Sequence, residues 1–485
     1  MKFKELLQNW GLEFLILAWF FFILYPFGPG VTFDSVSFLE AGDNFYSGNG
    51  YLHSGSEGLE FAAHRFPFYP LLVSLFDLAP KGLLILQMLL FGGCLLVFRS
   101  FLKELRAPKY FLIFFGLFFI VTNYYCLWTE SLFGLLFLLL LWLVAKEKRP
   151  NPIWPIALLV VLLCLTRMVG FVSAGSLFLA YLFINRKPRG VLTLMVGILT
   201  IIGWTLLGTY QLGNTARPFV SHLPDFSDFV HFLESLGGLL SANIHPLLSI
   251  SLGVILFVLP VIYLFRIWKD KVLMSLLDWF LIIHFYAYIV FLFLSAAFID
   301  ASIPFELRTS FPLYLNLIAL AAVAQSSVLV SDKFKARMKF ILPKLLILCF
   351  GLSIFSNLNL RANGVGYNSK DWRGFKFTSQ LANISAERIY CNDQGPIQYF
   401  SEVETSTFLF PEKQNLYSKQ KNTTYQEEMD VLFHNLTSAD ALVWIRNGVT
   451  ADVYITYEEI KELEGFNVVY DDWLCIILKK KDELH

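Results

Sequence analysis

Two acids, three arginines and a histidine draw attention because each stands at the edge of a long apolar run rather than in a polar stretch. Asp34 follows the first such run, in TFDSVSFLEAGDNFYSGNGYLHSGSEGLEFAAHRFPFYP, residues 32–70, and His64 and Arg65 lie near its end. Glu130 opens a later run in CLWTESLF, Arg167 closes another in LTRMVG, and Arg308 precedes a third in FELRTSFP. Charges in or beside membrane-spanning segments are costly, and by default they mark function. An acid held at the water-facing end of a helix can take a proton from a hydroxyl or amine. A guanidinium presents a planar fork of donors that suits a phosphate. Structural roles compete with each reading. Asp34 could cap a helix running from Ser35 to Tyr46, and Thr129 could cap one in which Glu130 is favoured by the helix dipole. The arginines could snorkel to headgroups or pair across helices, with Glu306 a ready partner for Arg308. Glu40 and Asp43 follow Asp34 at spacings that put them on other helix faces. A lone histidine such as His64 is more often structural than catalytic.

The elements that must position these groups follow from the composition. Hydrophobic residues make up 56% of 485, and the mean hydropathy is +0.58, which excludes an ordinary soluble enzyme. A helical span needs roughly 20 apolar residues. About eleven segments qualify: 11–29, 81–99, 110–127, 130–145, 153–167, 169–185, 190–209, 247–265, 273–298, 309–330 and 340–357. The stretch 67–79 is apolar but short, with Pro67, Pro70 and Asp77, and reads as an interfacial or re-entrant helix.

Lys and Arg set the orientation. The segments 2–4, 99–109, 146–149, 186–189, 266–271 and 333–344 hold 20 of the 38, against five (Arg65, Lys81, Arg167, Arg217 and Arg308) in the alternate segments and 13 in the tail from 361. The positive-inside rule puts the N-terminus in the cytoplasm. An odd number of spans then puts the tail outside, on the face that holds Asp34, Glu130, Arg65, Arg167 and Arg308. The first span lacks a small-residue cleavage site and reads as an anchor. The tetrapeptide in KKKDELH is not terminal and carries no weight as a retention signal. A formal net charge of zero gives no support for nucleic-acid binding.

The chain divides into a membrane bundle, 1–357, with long outer loops at 30–80 and 210–246, and an outer part, 361–485, where apolar runs shorten and charge density rises. In the outer part RIYC, ALVWI, DVYIT, NVVYD and LCIILK read as strands, and KDWRGFKFTSQLA and TYEEIKELEG as helices, the second ending at Gly465: a small α/β domain. RPFVSHLPDFSDFVHFLE suits an interfacial helix. The sequons at Asn383, Asn422 and Asn435 are short enough to arise by chance. Cys391 and Cys475 could be a disulfide or two buried thiols, and no metal-ligand spacing of Cys or His occurs.

Taken in order, the FDSVSFLEAGDNFYSGNGYLHSG…HRFPFYP loop, WTESLF, LTRMVGF, ELRTSFPLY and the tail segments DWRGFKFTSQLA and RIYCNDQGPIQYFSE resemble the C-class (GT-C) integral-membrane glycosyltransferases. The likeness is to protein O-mannosyltransferases, aminoarabinose-lipid transferases and their bacterial Rgt-like relatives, and it extends over nearly the whole chain. It implies a polytopic α-helical fold and an inverting transfer from a polyprenyl-phosphate sugar to a lipid, glycan or protein acceptor. The transfer would occur on the extracytoplasmic face, with a bacterial inner membrane as the expected location. By the same likeness Asp34 is the base, Glu130 the acid of the later helix end, and Arg308 a cation near the lipid phosphate. Arg65, His64 and Arg167 join them as substrate-binding candidates from their positions. Several relatives carry a second acid directly after the first; Ser35 stands there in this chain. A divalent cation is an open expectation, and no other cofactor is implied. A transporter or flippase of lipid-linked glycans, a ligase of such glycans, and a non-catalytic scaffold are the competing classes. Transporters favour repeated halves with polar groups at the bilayer midplane, and no repeat is evident.

Overall fold

The computed structural model describes the chain except for residues 1–2, 56–57, 77–79, 148–151, 213–222, 270–272, 300–302, 304, 306–307, 327–331, 375–378, 381–385, 401–405, 416–419, 447–452 and 482–485. Arg217, Asn383, Glu306, most of the 210–246 loop's first half and the KDEL segment therefore lie outside the described residues. In chain order the bundle comprises α1 (Phe3–Leu24), α2 (Phe33–Tyr46), a β1–β2 hairpin (Leu52–Gly55, Gly58–Phe61), α3 (Phe68–Val73), α4 (Pro80–Leu105), α5 (Phe118–Tyr125), α6 (Thr129–Lys146), α7 (Trp154–Thr166), α8 (Gly170–Phe183), α9 (Lys187–Leu212), α10 (Phe226–Ser241), α11 (Pro246–Lys269), α12 (Leu276–Phe298), α13 (Phe311–Ser326) and α14 (Asp332–Asn363).

Among the described residues six helices are long and apolar enough to cross a membrane: those of α4, α6, α9, α11, α12 and α14. Four of the expected spans are shorter apolar helices, Asn9–Leu24, α7, α8 and α13. The expected span 110–127 is not one α-helix. It is a 3₁₀ turn, Lys109–Gly116, followed by α5. The break has a physical cause. A Cβ on Gly116 would run into the Phe350 ring, so α14 packs directly on the backbone there, and Asn357 donates to the Gly116 carbonyl at 3.1 Å. Among the described residues of the apolar stretch 67–79, Phe68–Val73 forms the short α3, tucked under α2 where Gly42 has no room for a side chain against the Pro70 carbonyl.

Of the six long helices α6 is the most interior, 72% of its apolar stretch being buried against 17% for α9, and the shorter α13 is buried along most of its length. α10 is amphipathic and pairs with α11 through Gly237 and Gly253, each of which lies against backbone of the partner helix, a small-residue crossing of the kind membrane helices favour. Some buried polar groups of the bundle pair with one another, while others, such as Gln87 Oε1 and Asn123 Oδ1, have no hydrogen-bond partner among the described residues. His284 of α12 contacts Ser173 and Asn316, both at 3.2 Å.

The outer part comprises α15 (Lys370–Gly374), β3 (Arg388–Cys391), α16 (Gln394–Phe400), β4 (Ser406–Leu409), α17 (Tyr425–Asn435), β5 (Asp440–Ile445), α18 (Tyr457–Lys461), β6 (Phe466–Asp471) and β7 (Cys475–Lys480). Its sheet runs β4-β3-β5-β7-β6, parallel through β4, β3 and β5 and antiparallel beyond. β5 is buried along its whole length, as a strand covered on both faces must be. DVYIT is not a strand. Val453, Tyr454 and Ile455 are buried, but they lead into α18, and the Ile455 carbonyl accepts from the Trp444 indole at 2.6 Å. Ser406–Leu409, unmarked in the sequence reading, supplies the missing strand. Cys391 and Cys475 are free and buried.

Candidate active site

Three segments far apart in sequence meet as a short parallel ladder just ahead of α2. The Gly30 amide donates to the Tyr125 carbonyl at 3.0 Å, and the Leu127 amide to the Gly30 carbonyl at 2.9 Å. On the other side the Tyr367 amide donates to the Val31 carbonyl at 2.7 Å. Gly366 has φ +63° with the Val31 carbonyl where a Cβ would stand, so this position demands glycine, and Gly30 is closely packed, with Cys126 Sγ 3.1 Å from where its Cβ would be. Gln87 ties the ladder to α4 by donating to the Cys126 carbonyl at 3.2 Å.

The ladder makes α2 and α6 start side by side. Thr32, not Asp34, is the N-cap of α2: its amide donates to Ser35 Oγ at 3.0 Å. Ser35 in turn donates to the Leu127 carbonyl at 3.0 Å, so its hydroxyl serves the ladder. Trp128, not Thr129, is the cap residue of α6, and its indole donates to Thr32 Oγ1 at 2.9 Å. Asp34 and Glu130 each occupy the first turn of their helix without being needed to cap it.

One ion network joins five of the six candidate residues. Arg308 donates through Nε to Glu130 Oε1 at 2.7 Å and through a terminal nitrogen to Asp34 Oδ2. Arg65 meets Asp34 Oδ1 at 2.7 Å and donates to Ser37 at 3.3 Å. Arg167 pairs with Glu130. The Glu130 side chain is 0% exposed, whereas Arg65, Arg167 and Arg308 are each 22% exposed. The carboxylate is thus sealed beneath guanidiniums that still open outward. Arg167 is the C-cap residue of α7. His64 is exposed, and Asp43 is exposed as read.

Burial would raise the Asp34 carboxyl, but the Arg308 and Arg65 guanidiniums outweigh it and hold the group well below the usual carboxylate range. For Arg308 burial acts to lower, yet Glu130 and Asp34 lift it further above its usual value. Among the described residues no group of three or more His, Cys, Asp or Glu is placed to hold a metal. The two acids are bridged by Arg308 and outnumbered by guanidiniums, a donor set that fits an anion and not a divalent cation.

Two further groups, unmarked by the sequence, adjoin the site from the outer part. α16 packs on α2, with Gly395 against the Phe33 ring and the Tyr367 hydroxyl. Tyr399 donates to Asn368 at 2.7 Å, and Asn368 to the Pro29 carbonyl at 2.8 Å, locking this seam. Tyr367 is held above its usual range by burial and then by the charges of Asp393 and Asp34, so both acids lie near it. Asp393 accepts from the Gly395 amide at 3.0 Å, and burial pushes its carboxyl up to about 6. Nothing in residue spacing flags either one, because their positions come from docking.

No family model matches the chain, and no curated protein matches it. Among solved structures, the crystal structure of ArnT from Cupriavidus metallidurans bound to undecaprenyl phosphate superposes with a TM-score of 0.50 at 13% identity, over 97% of each chain. The chain therefore shares that overall fold, a polytopic helical bundle with a C-terminal sheet region.

Proposed function

We propose that the protein is an integral-membrane glycosyltransferase. It moves a sugar from a polyprenyl-phosphate donor to a hydroxyl or amine of an envelope lipid, glycan or protein, with inversion, on the extracytoplasmic face. The observation that carries this reading is the network of three guanidiniums and two carboxylates, net positive by one charge and open on its arginine side. The shared fold with a protein bound to undecaprenyl phosphate supports a lipid phosphate as the anion.

In this reading Arg308, Arg167 and Arg65 receive the phosphate, Glu130 holds two of them in place, and Asp34 takes the acceptor's proton as the acceptor attacks the anomeric carbon. A phosphate already paired with guanidiniums leaves well, so one base suffices and no covalent sugar intermediate is required. His64, on the exposed edge, would contact substrate only peripherally. The N-terminus is assigned to the cytoplasm on the charge bias, and the membrane to a bacterial inner membrane on the resemblance to bacterial relatives. A flippase would need its charges at the midplane between repeated halves, and this network is gathered at one end of the helices.

The test is mass spectrometry of envelope glycolipids, glycans and glycoproteins with and without the gene, complemented by wild type or Asp34→Asn. Loss of one sugar from one acceptor, restored only by wild type, is expected; restoration by Asp34→Asn would overturn the base assignment, and an unchanged envelope would overturn the transferase reading.

A further inference from the structure

As it stands, Asp34 is a weak base. Oδ1 is held by Arg65 at 2.7 Å and Oδ2 by Arg308, so each oxygen already accepts from a guanidinium that opposes its protonation. Arg308 differs from Arg65 in having a second, deeper anchor. Its Nε is fixed on Glu130 at 2.7 Å, and Glu130 is itself sealed and paired with Arg167. The Trp128 ring, 5.1 Å from the guanidinium carbon, lies alongside, and Trp128 is fixed through Thr32. The guanidinium can therefore turn about its Glu130 contact and take its terminal nitrogen off Asp34 without losing its place.

We propose that Arg308 exchanges partners in each turnover, leaving Asp34 for the donor's phosphate and returning to Asp34 as the lipid phosphate departs. The inference rests on the transferase reading above and deepens it. The charges support it. The five groups sum to one positive charge, and a sugar phosphodiester brings one negative charge to the network. With Arg308 drawn to the phosphate, Asp34 Oδ2 is relieved of its guanidinium and the carboxylate becomes more basic. In the chemical step the acceptor's O–H or N–H proton passes to Asp34 and the acceptor's electron pair forms the bond to the anomeric carbon. The bond from that carbon to the phosphate oxygen breaks, and its electron pair stays on the phosphate. Asp34 becomes neutral while the lipid phosphate gains one negative charge. The charge thus moves from one partner of Arg308 to the other, and the guanidinium moves with it. When Asp34 gives its proton to water, its renewed charge draws Arg308 back and weakens the hold on the product.

The exchange makes Asp34 a competitor of lipid phosphate, which is a counterintuitive role for a base and is measurable. The experiment is binding of undecaprenyl phosphate to the full-length protein in nanodiscs, for wild type, Asp34→Asn, Arg308→Gln and the double variant, each checked by thermal unfolding. Asp34→Asn is expected to bind roughly tenfold tighter than wild type, within the 5–150-fold span of ordinary site coupling. Arg308→Gln is expected to weaken binding, and adding Asp34→Asn to it should restore none of the loss. Asp34→Glu, which keeps the charge, should bind like wild type; if Asp34→Asn does not fold, Asp34→Ala is read by the same criterion. Equal or weaker binding by the neutral variant overturns the exchange. So does a gain that persists without Arg308, because the competition would then run through another residue. Transfer activity in Asp34→Asn is a separate readout: its survival would overturn the base reading whatever the binding result.

Discussion

Glu130 is the residue on which the network depends for its shape. Its carboxylate has no exposed surface and meets both Arg167 and Arg308. Removing one member of a buried ion pair leaves the other charge uncompensated, at a cost of about 3–5 kcal/mol. Glu130→Gln is thus expected to lower the unfolding temperature in detergent sharply as well as to stop transfer. Arg65 is more exposed and pairs with a partly exposed acid. Arg65→Gln should cost about 1 kcal/mol or less in stability while cutting turnover strongly. Paired unfolding and turnover measurements check the contrast; a well-folded, inactive Glu130→Gln would mean that Glu130 acts on substrate rather than through the arginines. The types and edge positions of these residues were legible in the sequence because a charge beside an apolar run is conspicuous. Their pairing was not, since Glu130 opens α6 and Arg308 lies in the turn ahead of α13, and the approach of the two depends on the whole bundle. The sequence offered Glu306 for Arg308, and the described partners are Asp34 and Glu130.

At the scale of elements, the ladder of residues 30–31, 125–127 and 366–367 aims the two acids at one another. It is built from backbone amides and carbonyls, which carry no side-chain signature, so no spacing rule could reveal it. The long apolar runs were readable for the opposite reason: about 20 apolar residues are hard to place anywhere but a bilayer or its equivalent. The break at Gly116 escaped because it answers to Phe350, a residue of a distant helix. Gly366 tests the ladder. A methyl group there would meet the Val31 carbonyl, on a backbone at φ +63° that disfavours side chains. Gly366→Ala is expected to cost about 1–3 kcal/mol. It should also displace Asp34, lowering kcat more than it raises KM for the donor. Unaltered kinetics with unaltered protease resistance of the outer part would show that the ladder is not what aligns the site.

At the scale of the whole molecule, the outer part is docked on the loop that carries Asp34, and it shares a seam with the bundle through Asn368, Tyr399 and Gly395. The charge bias predicts that this part faces outward. Protease added to intact spheroplasts should cleave it while sparing an N-terminal tag, and the reverse pattern would invert the assigned topology. The seam also has a pH dependence of defined sign. Burial lifts the Asp393 carboxyl from 3.8 to about 6, so between those values the folded protein holds a proton that the unfolded chain has released. Its contribution to stability is complete below about pH 4, declines as pH rises through about 6, and is gone above that. Above pH 6 the seam holds a charge that it accommodates poorly. Asp393→Asn keeps an oxygen for the Gly395 amide and removes the charge, so it should match wild type near pH 4 and exceed it at pH 7.5. Partial access to water limits the gain to about 2 kcal/mol or less. Thermal unfolding of both proteins across pH 4–8, followed by tryptophan fluorescence, should show the gap opening between pH 4 and 6 and then staying constant. Parallel curves over the whole range would mean that Asp393 is not held in a poorly solvated seam, and the docking of α16 on α2 would need another arrangement of that acid.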